Sequence, residues 1–189
     1  MKILLASNSP RRKELLKDLG FDFEVVSVDC DEIYPDHLKV DEIAGYLSEL
    51  KSNAFRSLNP DEVLITADTI VALNGEILGK PKDAVHAKEM LKKLSGKTHQ
   101  VYTGFSLRNL TQTITRTDVA PVEFDKINDE ELDFYIQKYK PFDKAGSYGI
   151  QEWLGMAKIK NIQGSFYTIM GLPTHLIYSL LKDLKLASS

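Results

Sequence analysis

The chain has 189 residues, 43% hydrophobic and 27% charged, which is the balance of a soluble globular protein long enough to bury a substantial core. Its net charge of −3 argues against a nucleic-acid polymer as partner, because such binders carry a basic excess. A single cysteine, Cys30, excludes an internal disulfide and a thiolate metal cluster.

Met1 to Leu5 is too short for a signal segment, and no apolar run approaches the ~18 residues of a membrane span, so a cytoplasmic protein without membrane contact is expected. Ile3, Leu4 and Leu5 read as a buried strand. Ser9 suits an N-cap and Pro10 the first helical position, which predicts a helix from Pro10 to Leu19 with Leu15, Leu16 and Leu19 on one face and Gly20 as the stop. Arg11, Arg12 and Lys13 fall in its first turn, where a cation is unfavourable by about 0.3–1 kcal/mol. An anion on the cap, held by backbone N–H groups, serine hydroxyls and an arginine fork, removes the conflict. Arginines turned into solvent remove it equally well, and these residues alone leave both readings open.

Phe21 to Val28 reads as a strand and Asp29 to Asp36 as an acidic loop containing Glu32. A helix is predicted from Val40 to Leu58, ended by Asn59-Pro60, with Leu47, Ala54, Phe55 and Leu58 as its buried stripe. Lys51 lies inside that stripe, and either snorkels out along its stem or meets an anion. Val63 to Leu73 is the strongest strand, turning at Asn74-Gly75 into Glu76–Leu78. Asp68 sits within it among apolar and β-branched neighbours. A buried carboxylate without partners costs several kcal/mol, so a metal ion, a water to be deprotonated or a cationic cluster is expected beside it, unless the face it shares with Thr66 is solvated. Lys80 follows in the turn Leu78-Gly79-Lys80-Pro81, where Gly79 is read as permitting close backbone approach.

A helix from Asp83 to Leu94 closes at Ser95-Gly96. Strands Gln100–Arg108 and Thr113–Phe124 then pair antiparallel around Asn109-Leu110-Thr111. Asp129 to Tyr139 is helical, with Leu132, Tyr135, Ile136 and Tyr139 as its stripe. In Asp143 to Gln151, Gly146 and Gly149 mark either a ligand-cradling loop or a tight bend. Met156 to Met170 reads as two strands about Gln163-Gly164. A closing helix runs from Pro173 to about Leu186, presenting Leu176, Ile177, Leu180, Leu181 and Leu184. His37, His86, His99 and His175 lack zinc-site spacing and are read as structural or exposed. The expected fold is one α/β domain over residues 1–189, a mixed twisted sheet flanked by helices.

Six segments in order, Leu5–Leu16, Ala67–Val71, Leu78–Pro81, Leu94–His99, Asp143–Gln151 and Met170–Pro173, resemble the Maf family of nucleoside triphosphate pyrophosphatases. The resemblance implies a fold similar to the inosine triphosphate pyrophosphatase group, with two lobes around a central cleft and a homodimeric assembly. It implies hydrolysis between the α and β phosphates, giving a nucleoside monophosphate and pyrophosphate, with a divalent metal such as Mg²⁺ or Mn²⁺. By the same resemblance Asp68 is the proton acceptor, and Ser7, Arg12, Glu32, Lys51 and Lys80 belong to the phosphate and metal site. That set is chemically coherent: Ser7, Arg12, Lys51 and Lys80 neutralise the triphosphate, and Glu32 and Asp68 hold the metal. In the branch acting on dTTP and UTP, the resemblance implies base selection at Arg11, Thr69 and Gln151. Uracil and thymine offer acceptor, donor and acceptor along the pairing edge, which an amide can match and a guanidinium matches only as donor. The alternatives are the same chemistry on another or modified nucleotide such as 7-methyl-GTP, or a nucleotide-binding regulator of cell division and septum formation. One departure stands out: Glu152-Trp153 follow Gln151 where many members have glycine, and they either trim the base pocket or face away.

Overall fold

The apolar run of Lys2–Ala6 (β1) is buried along Ile3, Leu4, Leu5 and Ala6, as a strand covered on both faces requires. It pairs in parallel with Phe23–Val26 (β2) on one side and Glu62–Leu73 (β3) on the other. Pro10–Asp18 (α1) connects β1 to β2, burying Leu15 and Leu16. Leu4 and Ala6 pack with Leu58 and Leu64 in a cluster flanked by Val26, Val28 and Phe55. The computed structural model describes residues 1–187, so the last two residues of the expected 1–189 domain lie outside it.

Val40–Ala54 (α2) buries Ile43, Ala44, Leu47, Ser48 and Ser52. It stops four residues short of the expected Leu58, because Phe55 turns to extended backbone (φ −77°, ψ 152°), and Ala54 is exposed rather than part of the stripe. A local contact across the following turn accompanies the early stop. Arg56 donates Nη1 and Nη2 to the two carboxylate oxygens of buried Glu62 at 2.8 and 2.9 Å, and the Asn59 N–H donates to the same carboxylate at 2.9 Å. These bonds hold the Glu62 carboxyl at about 2, the Arg56 fork contributing most, and fold the chain back into β3.

The strand β3 turns through Asn74 (φ 51°) and Gly75 (φ 85°) into the antiparallel Glu76–Leu78 (β4). Ala84–Leu94 (α3) is capped by Asp83, whose Oδ1 accepts the His86 N–H at 2.8 Å. Thr98–Arg108 (β5) and Thr113–Phe124 (β6) are sheet neighbours whose short link, Asn109 to Gln112, permits only antiparallel pairing. Asp129–Tyr139 (α4) begins with a capping box between Asn128 and Glu131 and packs against α3.

The region expected as two strands, Met156 to Met170, differs. Trp153–Lys158 (α5) is helical, Ile159–Ile162 (β7) is the one strand, antiparallel to β6, and Phe166–Met170 (α6) is helical. The aromatic and β-branched residues of Phe166–Met170 favour a strand locally. Here burial of Thr168 and Met170 and the turn from the Ser165 carbonyl decide otherwise. Thr174–Ala187 (α7) closes the chain, with Ile177 and Leu181 fully buried.

The sheet order is β2-β1-β3-β5-β6-β7, with β4 on β3, so the mixed α/β class expected from the sequence holds. The chain divides into two compact units. The first takes Met1–Asp68, Thr103–Asp118 and the chain from Gly171 on; the second takes Thr69–Tyr102 and Val119–Met170. No helix among the described residues is long and apolar enough to cross a membrane.

Candidate active site

In the first unit the charged residues singled out in the sequence converge on the end of β1 and the middle of β3. Ser7 follows β1 directly, and its Oγ accepts the Ser9 N–H at 3.2 Å. Ser9 is the N-cap residue of α1, as expected, but its side chain makes no cap bond, and its own N–H is taken by Ser7 two residues earlier. No acidic side chain balances the first turn, which leaves the cationic helix start that the sequence suggested. Arg11 and Arg12 are both half-buried there. Arg12 reaches across the unit: Nε donates to the Gly171 carbonyl at 2.7 Å and Nη1 to the Ala67 carbonyl at 2.9 Å. Burial pulls its guanidinium below the ordinary arginine value, against the opposing charge of Asp68.

The centre of the site is an ion triad. Lys51 Nζ donates to Asp68 Oδ1 at 2.6 Å and pairs with Glu32 Oε1 at 3.0 Å. Asp68 and Lys51 are almost enclosed, at 13% and 15% side-chain exposure, whereas Glu32 is half open at 51%. A cationic partner for Asp68 is therefore present, and Lys51 meets carboxylates rather than snorkelling away. Cys30 lies close enough to feel Lys51 and Glu32, but desolvation dominates and raises its thiol.

Hydroxyl groups seat α2 so that Lys51 reaches this point. Thr66 Oγ1, on β3, donates to the Ser48 carbonyl at 2.6 Å, and Ser48 Oγ meets Ser106 Oγ of β5 at 3.0 Å. Ser106 Oγ in turn meets Thr115 Oγ1 of β6 at 2.9 Å. Thr66 is thus a buried anchor, not the sign of a solvated face.

The remaining candidates belong to the second unit. Thr69 begins it, one residue after Asp68. Lys80 is exposed on its turn, and the Gly79 carbonyl accepts the Gly146 N–H at 3.1 Å, tying that turn to the segment that leads to Gln151. Gly79 is not sterically required, since a Cβ there would meet nothing within 4 Å. Gly146 is required: its φ is +68° and a Cβ would lie 3.0 Å from the Val71 methyls. Gly146 therefore marks a tight bend. Gln151 is exposed, while Glu152 turns inward to accept from Tyr135 Oη and to pair with Lys144 at 3.1 Å. His99 is fully buried, its Nε2 sharing a hydrogen bond with Tyr148 Oη at 2.7 Å.

The family model described as Maf-like protein matches residues 2–184. The chain belongs to the Maf family. It is 51% identical over 185 residues to a dTTP/UTP pyrophosphatase of Phocaeicola vulgatus, covering 97% of this chain and 96% of that one. It is 52% identical over 185 residues to a dTTP/UTP pyrophosphatase of Bacteroides thetaiotaomicron, with the same coverage. Among solved structures, a HAM1 protein from Coxiella burnetii matches with a TM-score of 0.50 over 97% of this chain and 99% of that one, at 15% identity, a likeness of fold alone.

Two carboxylates on one ammonium suit a weakly held cation in this Maf chain. Glu32 Oε1 and Asp68 Oδ1 touch the same Nζ and so lie no farther apart than 3.0 and 2.6 Å combined. Among the described residues no group of three or more His, Cys, Asp or Glu side chains converges. An oxygen-only pair fits Mg²⁺ or Mn²⁺, ions that take one or two protein carboxylates and complete their shell with phosphate and water.

Proposed function

We propose that this chain hydrolyses dTTP and UTP between the α and β phosphates, releasing the nucleoside monophosphate and pyrophosphate. The observation that carries the reading is Lys51 holding both Glu32 and Asp68 in the unit whose α1 start is cationic. The full-length relatives named dTTP/UTP pyrophosphatase support it and point to the same substrates.

In this reading Asp68 orients a water and takes its proton as the oxygen attacks the α phosphorus in line. The bond between that phosphorus and the bridging oxygen breaks, and pyrophosphate departs with the electron pair. Ser7, Arg12, Lys51 and Lys80 bind the phosphate chain, and Lys51 keeps Asp68 and Glu32 in register until substrate arrives. Glu32 and Asp68 would hold a divalent cation, which when bound would supply neutralisation of the triphosphate charge. Arg11, Thr69 and Gln151 read the base, the amide of Gln151 matching the acceptor and donor pattern of uracil and thymine. The chain works in the cytoplasm as a homodimer, on mononucleotides rather than nucleic-acid polymers.

The test is pyrophosphate release with Mg²⁺ on dTTP, UTP, CTP, GTP and 7-methyl-GTP. Higher kcat/KM on dTTP and UTP than on the other three is expected. Equal rates on all five remove the base-reading assignment, preference for 7-methyl-GTP reassigns the substrate, and absence of pyrophosphate from every nucleotide sinks the enzymatic reading in favour of a nucleotide-binding regulator.

A further inference from the structure

Gln151 is exposed, so its position follows from the turn that carries it. That turn is closed by the Glu152 N–H donating to the Gly149 carbonyl at 3.1 Å. The Glu152 side chain then leaves the surface. One carboxylate oxygen accepts from Oη of Tyr135, a fully buried residue of α4, and the other pairs with Lys144 Nζ at 3.1 Å. Tyr135 Oη also accepts the Gly149 N–H at 3.0 Å, and Lys144 Nζ donates to Asp143 Oδ1 at 2.8 Å. The Lys144 and Glu152 side chains keep 9% and 15% of their exposure. Gly149 is shaped to this arrangement, since a Cβ there would fall 2.8 Å from Glu152 Cδ.

A surface turn needs no enclosed lysine–carboxylate–phenol network to exist. Removing one member of such a network leaves its partners desolvated and unsatisfied, so the network holds one arrangement against alternatives. Here the Glu152 carboxylate joins the start of the segment (Lys144) to helix α4 (Tyr135), and Tyr135 Oη in turn holds the Gly149 N–H near the segment's end. We propose that Glu152, Lys144 and Tyr135 are positioning residues that fix the turn presenting Gln151, and so set base selection; the inference rests on the function proposed above. On this proposal the departure Glu152 acts through the turn it holds, its carboxylate directed inward onto Tyr135 and Lys144.

The chain supplies its own reporter. Trp153 is the single tryptophan, adjacent to Glu152, with its ring edge-to-face on Phe134 at 5.1 Å. The experiment compares wild type, E152Q and Y135F by kcat and KM on dTTP, UTP and CTP, by Trp153 emission and acrylamide quenching, and by circular dichroism to establish folding. E152Q is expected to raise KM for dTTP and UTP about tenfold with a smaller change in kcat, and to compress the dTTP-over-CTP ratio of kcat/KM by a similar factor. Trp153 becomes more quenchable, and Y135F moves every readout in the same direction by less. A purely structural role lowers kcat alike on all nucleotides and leaves the ratio unmoved, which overturns the proposal. So do unchanged ratio and unchanged Trp153 emission in folded E152Q and Y135F. Failure of the parent reading is seen before any variant is made, as a wild type that does not distinguish dTTP from CTP.

Discussion

A Cβ placed on Gly104 would lie 2.2 Å from the carbonyl carbon and oxygen of Ala44, so β5 and α2 touch backbone to backbone at this point. Only a hydrogen fits there, and the same helix carries Lys51 to its two carboxylates less than two turns further on. Gly104→Ala must push α2 outward. The expected outcome is a loss of roughly 1–3 kcal/mol of stability, and a fall in pyrophosphate release larger than the unfolded fraction explains. Thermal melting and the rate at a temperature where the variant stays folded check this together. A variant with parental melting and parental rate would show that α2 can move without consequence.

Asp68→Asn preserves shape and keeps an acceptor for Lys51, but cannot take a proton. Because the carboxylate is nearly enclosed and hydrogen-bonded at 2.6 Å, the amide removes chemistry more than packing. Pyrophosphate release is expected to fall by about 10²–10⁴-fold, with circular dichroism unchanged. Undiminished turnover in the folded variant would take Asp68 out of the reaction.

Local signals in the sequence reached part of this site and missed part for identifiable reasons. Asp68 was legible because a carboxylate in an apolar strand demands a partner, and Lys51 because helical spacing placed it beside Leu47. That the two are each other's partners depends on how far α2 approaches β3, which no local pattern encodes. Glu32 sat in an acidic run indistinguishable from a solvated loop. Helix-start electrostatics and the family resemblance both point to Arg12, but its contacts to Ala67 and Gly171 come from distant segments that neither signal encodes. The mixed α/β class and the turns that join β3 to β4 and β5 to β6 were legible from alternation and turn residues, whereas the strand order and α6 were not. Phe166-Tyr167-Thr168-Ile169 has strand-forming side chains, and the surroundings of Thr168 and Met170 overrule them. The Arg56–Glu62 pair was hidden by the same error that extended α2 to Leu58, since the fork requires the helix to have ended already.

Arg12 makes two backbone contacts, and the proposed function adds phosphate binding to them; substitution can separate the two. Its Nε and Nη1 bind carbonyls on two segments far apart in the chain, a fork that a lysine ammonium cannot reproduce. Arg12→Lys keeps the charge and is expected to lower stability by about 1–3 kcal/mol, read as a shifted denaturant midpoint, together with a reduced kcat/KM. Arg11→Lys is expected to act on nucleotide preference, read as a changed dTTP-over-CTP ratio of kcat/KM. If Arg12→Lys retains the parental midpoint while losing activity, the carbonyl contacts carry no stability and Arg12 acts on substrate only.

His99 gives the fold an acid-sensitive point within the second unit. Its ring packs against Phe124 and Tyr148 with centroids 5.0 and 5.5 Å away, and its buried Nδ1 has no hydrogen-bond partner among the described residues. Desolvation lowers its pKa from 6.5 to about 4. The unfolded chain therefore binds this proton below pH 6.5 while the folded chain refuses it down to about pH 4. Stability is full above the unfolded value, falls as pH drops through that window, and levels off below it, for a total of about 3 kcal/mol from this group. His99→Gln retains an amide for Tyr148 Oη and does not titrate. Denaturant unfolding measured from pH 7.5 to 4 is expected to show the wild-type slope exceed that of the variant by about 1.4 kcal/mol per pH unit within the window. Parallel slopes would mean that His99 takes up its proton in the native state, which its closed aromatic surroundings argue against.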